Sequence, residues 1–218
     1  MNSIMENVKS VCNTVRNNSK HGTTFQKLLV SLRKEFKAQG FELSIKSTRD
    51  KKLEPEEFYV NAFYDPMDDK DGDVPVEVVV HHNFPADAEW DKAHVTELLI
   101  QVFDAVVHEY KHQRQSRKRN HKIYWHQTVT AYLDDPDEID AYSLSIAIEL
   151  CRNLGKYRAI RYMTRLSALS RFKIQDKYVS PNLFTYVSEF GPAHPIIKEL
   201  SKKVYVRLQK VDVDVIFV

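Results

Sequence analysis

Between Trp90 and Val107 the chain repeats apolar residues at helical spacing for so long that it must bury most of one long helix. Trp90, His94, Leu98, Leu99, Val102, Phe103, Val106 and Val107 form a broad face, and a helix apolar over such a width belongs in a core. The pattern predicts a helix starting at Asp87 or Glu89 and running without a break into HEYKH, residues 108–112. Its end is marked by RQSRKRNHK, residues 114–122, where cations suit the negative end of the helix dipole.

The rest of the chain is organised around that helix. Ile4, Val8, Val11 and Val15 predict a helix over 2–18, and Phe25, Leu28, Leu29, Leu32 and Phe36 predict a second, capped at Thr23–Thr24 and ending before Gly40. Alternation then takes over. Phe41 to Ile45, Phe58 to Tyr64 and the β-branched run Val74 to Val80 read as three strands, the last two joined by DPMDDKDGD, residues 65–73, as a polar hairpin connection. That stretch is not an EF-hand: with Gly72 at the sixth position, the first and twelfth ligand positions fall on Met67 and Val78.

A further helix is expected from Pro136, with Asp134 or Asp135 as cap and Gly155 as its stop, followed by a strongly basic helix over 156–175. A short helix near 195–203 and an alternating tail from Val204 to Val218 complete the reading. The chain of 218 residues, 43% hydrophobic, is long enough for one substantial core. The expected fold class is α+β: one domain over 1–218, with N-terminal helices (1–40), a three-stranded sheet packed against a metal-binding helix (41–155), and a helical extension (156–218).

Composition narrows the chemistry. Lys+Arg 32 against Asp+Glu 30 leaves +2, so no global charge drives the chain toward nucleic acid or a membrane. The two cysteines, Cys12 and Cys151, form no CxxC pair, which excludes a cysteine-based zinc site and leaves His and carboxylate ligands. No secretory signal is visible, since Glu6 and several Asn interrupt the N-terminal stretch, and no apolar run approaches the roughly 20 residues a bilayer requires. A cytoplasmic location is expected.

In HEYKH, His108 and His112 stand at i and i+4 and project from one helix face toward a single Zn²⁺. Glu109 is placed to take a proton from a water that the metal activates. A hydrolytic zinc site needs a third protein ligand, and Glu138, in the first turn of the helix beginning at Pro136, can supply it, with Ala141 small enough to let two helices approach.

HEYKH followed about 25 residues later by Glu138-Ile139-Asp140-Ala141 resembles the gluzincin zinc metallopeptidases, in which HExxH is completed by a glutamate on a later helix, often as ExxA. DEIDAYSLSIAIEL is similar in texture to the corresponding helix of the minigluzincins and of the small ImmA/IrrE-type peptidases. The resemblance covers about residues 58–155. It implies a zincin-like fold, Zn²⁺ held by His108, His112 and Glu138, Glu109 as catalytic base, and a peptide or protein substrate. An edge strand of the sheet would align that substrate, and the Val74 to Val80 strand is one candidate. Lys111 inside the motif and Arg114 behind it depart from the pattern and predict one more exposed helix face. Tyr142 stands where several gluzincins carry an acid that orients a zinc-bound imidazole, leaving Asp104 or Asp137 for that task.

His81 and His82 point to opposite faces of a strand and read as surface histidines, not ligands. His126, Tyr132, Tyr186 and His194 are candidates to stabilise an oxyanion, with Tyr132 and His194 foremost. The alternatives to a peptidase are a non-catalytic structural or binding protein on the same scaffold, and a nucleic-acid-binding module. The second would use Arg114, Arg117, Lys118 and Arg119, with Tyr124 and Trp125 as stacking residues and the later Lys156, Arg158, Arg161, Arg165 and Arg171 adding charge.

Overall fold

The computed structural model describes residues 2–19, 22–85, 87–122, 126–166 and 176–210, which fall into two compact units, about 1–123 and 124–216. The first unit opens with α1 (Asn2–Asn18), a two-residue strand β1 (Thr23–Thr24) and α2 (Phe25–Ala38). Phe25, Leu28, Leu29, Leu32 and Phe36 are all buried, as the spacing predicts. Then come β2 (Leu43–Arg49), β3 (Phe58–Tyr64), a short α3 (Pro66–Asp71), β4 (Val76–His82), β5 (Glu89–Trp90) and the long α4 (Lys92–Lys118).

Three strands are present where three were expected, but their order is β2-β4-β3, with β4 parallel to β2 and antiparallel to β3. The strand expected as a peptide-aligning edge, Val74 to Val80, is therefore the central one, and this corrects the expectation. The cause lies in its composition. Val76, Val78 and Val80 are fully buried, and a run this rich in β-branched residues is best covered with partners on both sides.

The true edges, β2 and β3, are each partly occupied by a helix side chain. Arg33 Nε donates to the Ile45 carbonyl at 2.8 Å, and Val60 N–H donates to Gln101 Oε1 at 3.0 Å. The connection between β3 and β4 is a helical turn rather than a plain hairpin loop. Asp65 caps it by accepting from Met67 N, and Gly72 closes it in the left-handed region, at φ 84°, which glycine adopts without penalty.

The helix α4 begins later than expected. Asp91 is its cap, accepting from His94 N at 2.8 Å, because Glu89 and Trp90 pair as strand β5 with β1 instead. Trp90, 1% exposed, stacks on Phe25 at 4.9 Å between ring centroids. His82 lies in the same cluster, 4.5 Å from Phe25 and 8% exposed, so it is a core residue, not the surface histidine expected. Burial, then the Arg49 charge, lowers its pKa, which keeps the ring neutral there.

The described part of the second unit is wholly helical: α5 (Val129–Leu133), α6 (Pro136–Leu154), α7 (Lys156–Leu166), α8 (Asp176–Val179), α9 (Pro181–Phe190) and α10 (Pro195–Lys210). Helix α6 starts where proline and its cap predict, with Asp135 accepting from Asp137 N at 2.7 Å, and Gly155 ends it. Residues 167–175 of the expected basic helix lie outside the described residues, as does the tail beyond 210. Val204 to Lys210, expected to belong to an alternating tail, are instead the last turns of α10, with Val204 and Leu208 buried four residues apart. Val204, Val206 and Leu208 permit either period, and packing on α6 and α7 selects the helical one, which leaves Val206 exposed.

Candidate metal centre

The two imidazoles sit where local helix geometry puts them. His108 and His112, one turn apart on α4, bring their Nε2 atoms to 3.0 Å. Two nitrogens on one tetrahedral zinc, each bonded at 2.0–2.1 Å, would stand about 3.3 Å apart, so the rings converge on one point at nearly the spacing a shared ion imposes. The same distance suits one N–H···N bond between neutral rings, and the choice rests on what else approaches.

Glu138, in the first turn of α6, is buried. His108, His112 and Glu138 form a group that could hold a metal ion. An imidazole pair plus a carboxylate fits zinc chemistry. Neither cysteine competes, since Cys12 is fully buried and donates to the Leu99 carbonyl at 3.7 Å, and Cys151 is buried too.

Glu109, the residue between the imidazoles on the same turn, is 9% exposed. Lys111 is only 4% exposed. The exposed face predicted from the charge at that position is thus corrected: the lysine lies inward, while Arg114 is exposed as expected. Lysine's long apolar stem makes such burial tolerable. Asp104 stands one turn before His108 and Asp137 immediately before Glu138, both half-buried.

Within the second unit, the surroundings of Glu138 are aromatic. Burial, then the nearby Tyr142 and Glu138, raises the Tyr132 pKa far above an ordinary phenol's. Tyr132 packs edge-on to Tyr142 at 6.4 Å, Tyr142 to Tyr186 at 5.4 Å, Tyr186 continues to Phe190, and Phe190 stacks on His194 at 5.0 Å. At the other end His126 meets the Tyr132 ring at 5.9 Å and holds Asp135 at 3.2 Å.

All four oxyanion candidates therefore belong to one column, and Glu138 opposes ionisation of both Tyr132 and Tyr186 in it. Tyr142 stands four residues after Glu138 on the same helix face, and its spacing from Ile139, Ile146 and Leu150 already marks it as part of the apolar stripe of α6.

The basic run at the end of α4 is less available than its composition suggests. Arg117 Nε and Nη2 clasp the Asp69 carboxylate at 2.9 and 2.6 Å, and Asp69 also accepts from Tyr64 at 2.8 Å and Gln113 at 3.3 Å. Arg114 and Lys118 are exposed and Arg119 is half-buried, whereas Tyr124 and Trp125 lie outside the described residues. No described helix is long and apolar enough to cross a membrane. Searches for related chains find no matching family model, curated protein or solved structure.

Proposed function

We propose that the protein is a zinc-dependent hydrolase, a peptidase, with His108, His112 and Glu138 as metal ligands and Glu109 as catalytic base. The observation that carries this reading is the convergence of the His108 and His112 Nε2 atoms at 3.0 Å on one turn of α4, with Glu138 completing the group that could hold a metal ion. Zinc bound by such a set supplies a Lewis acid that polarises a carbonyl and brings the pKa of water down to roughly 7. Glu109 takes the proton from the attacking water and returns it to the departing amine. Tyr132, whose ionisation Glu138 opposes, is the neighbour placed to steady that carboxylate, a task that partners of metal ligands commonly perform.

The test is metal analysis of protein purified without chelators, paired with hydrolysis of a mixed peptide pool. About one zinc per chain is expected, lost in His108→Ala and Glu138→Ala but kept in Glu109→Gln, whose rate should fall at least ~100-fold. Zinc content unchanged in His112→Ala would overturn the ligand assignment. Full activity in Glu109→Gln would overturn the mechanism and leave a metal that serves stability alone.

A further inference from the structure

Charge in the second unit is strongly segregated. Helix α7, KYRAIRYMTRL, carries Lys156, Arg158, Arg161 and Arg165 and no acid. Its apolar stripe, Ala159, Met163 and Leu166, is buried, so the opposite side, with Tyr157, Arg158, Arg161 and Arg165, faces solvent. Helix α10 packs on α7 and adds exposed Lys198, Lys202 and Lys210. Its other cations are engaged, Arg207 with Asp140 at 2.7 Å and Lys203 with Glu199 at 3.7 Å. Among the described residues no carboxylate pairs with Arg158, Arg161 or Arg165.

We propose that the outer face of α7 binds single-stranded nucleic acid, the three arginines holding successive phosphates and Tyr157 stacking on a base. The arginines recur at i, i+3 and i+7, in one line with intervals of about 4.5 and 6 Å at 1.5 Å per residue, long enough for the three flexible side chains to reach successive phosphates, which rise about 3.4 Å per step along a strand. Arginine's planar fork suits phosphate oxygens. Tyr157 is 74% exposed and the Arg161 guanidinium carbon lies 6.0 Å from its ring centroid, so a flat aromatic surface stands beside the cations, the combination that strand-binding grooves use. A second exposed tyrosine, Tyr178 at 79%, lies on α8.

Lipid is the poorer match, since a membrane-surface helix must offer an apolar face for insertion and that of α7 is spent in the core. The end of α4 is the poorer location, since Asp69 already holds Arg117. The proposal is independent of the metal site.

The experiment is fluorescence anisotropy of a labelled 20-mer oligothymidylate against the full chain between about 20 and 200 mM salt. With three phosphate contacts, the logarithm of affinity should fall with the logarithm of salt at a slope near −2, about −0.7 per contact. Replacing Arg158, Arg161 and Arg165 together by Gln should flatten that slope by about two units and weaken low-salt binding at least ~10-fold. Their exposed positions predict an unchanged melting curve, to be checked on the same sample. Tyr157→Ala should weaken binding at least ~5-fold, while Arg114→Gln with Lys118→Gln should leave it intact. Absence of binding at the lowest salt overturns the proposal, as does binding that survives the triple substitution in folded protein. So does tighter association with phosphatidylcholine vesicles containing 30% phosphatidylserine than with the oligonucleotide.

Discussion

Removing the Asp69 carboxylate tests how the end of α4 is fixed. Its side chain is only 2% exposed, and it receives two bonds from Arg117, one from Tyr64 and one from Gln113, with His121 Nδ1 3.5 Å away. It thereby ties α3 to the last two turns of α4, beginning one residue after His112. Arg117 is half exposed at 52%, so its pairing is discounted to about 1 kcal/mol for solvent screening. The bonds from Tyr64 and Gln113 to a charged acceptor contribute about 1 kcal/mol each.

Asp69→Ala should therefore cost about 3 kcal/mol, and Asp69→Asn, which keeps one acceptor oxygen, about half of that. For a unit of this size the alanine variant should melt roughly 10 °C lower. The pH dependence fixes the sign. Burial pushes the Asp69 carboxyl up, but the bonds from Arg117 and Tyr64 and the Arg117 charge outweigh it, so the folded pKa lies below its ordinary value. The stabilisation is then complete above the unfolded value near ~3.9 and disappears as pH falls through the folded one. Urea unfolding followed by circular dichroism should show the full gap between wild type and variants at pH 7 and closing curves in stronger acid. A loss under about 0.5 kcal/mol at pH 7, or a gap that persists at the acid end, would refute the account.

The other predictions use neighbouring groups. Tyr64 has its pKa pushed up to about 12, first by burial and then by Asp69; stability should be intact below pH 10 and decline as pH rises toward 12, and Tyr64→Phe should flatten that decline in melting curves. Tyr132→Phe removes the hydroxyl whose ionisation Glu138 opposes; zinc affinity, read by competition with a chromophoric chelator, should fall about 10- to 100-fold while stability drops only about 1 kcal/mol. Equal zinc affinity in the two proteins would assign Tyr132 to packing alone.

Local features were legible in the sequence because local physics decides them. Buried positions of α2 follow their spacing, Asp135, Pro136 and Gly155 bound α6 as their chemistry dictates, and the His108–His112 convergence needs only one turn of helix. The misreadings came where two periods compete or a distant partner arbitrates. Glu89 and Trp90 fit a helical pattern yet pair with Thr23 and Thr24. Lys111 reads as exposed by its charge and lies buried, and Val204 to Lys210 alternate in sequence but wind as helix.

The sheet order shows how far such reading could have gone. A strand of alternating polarity can sit at an edge with one face in water, whereas Val76 to Val80 has a valine at every position but one, which favours partners on both sides. Composition thus pointed to the centre before any coordinate did. The column from His126 to His194 divides in the same way. Tyr186, Phe190 and His194 recur every four residues, a spacing visible in the sequence although Gly191 ends the helix between them. The meeting of Tyr142 with Tyr186 spans 44 residues, and no local period encodes it. The candidate centre inherits this division: the imidazole pair is a property of one helix, whereas the third ligand depends on where the fold carries α6.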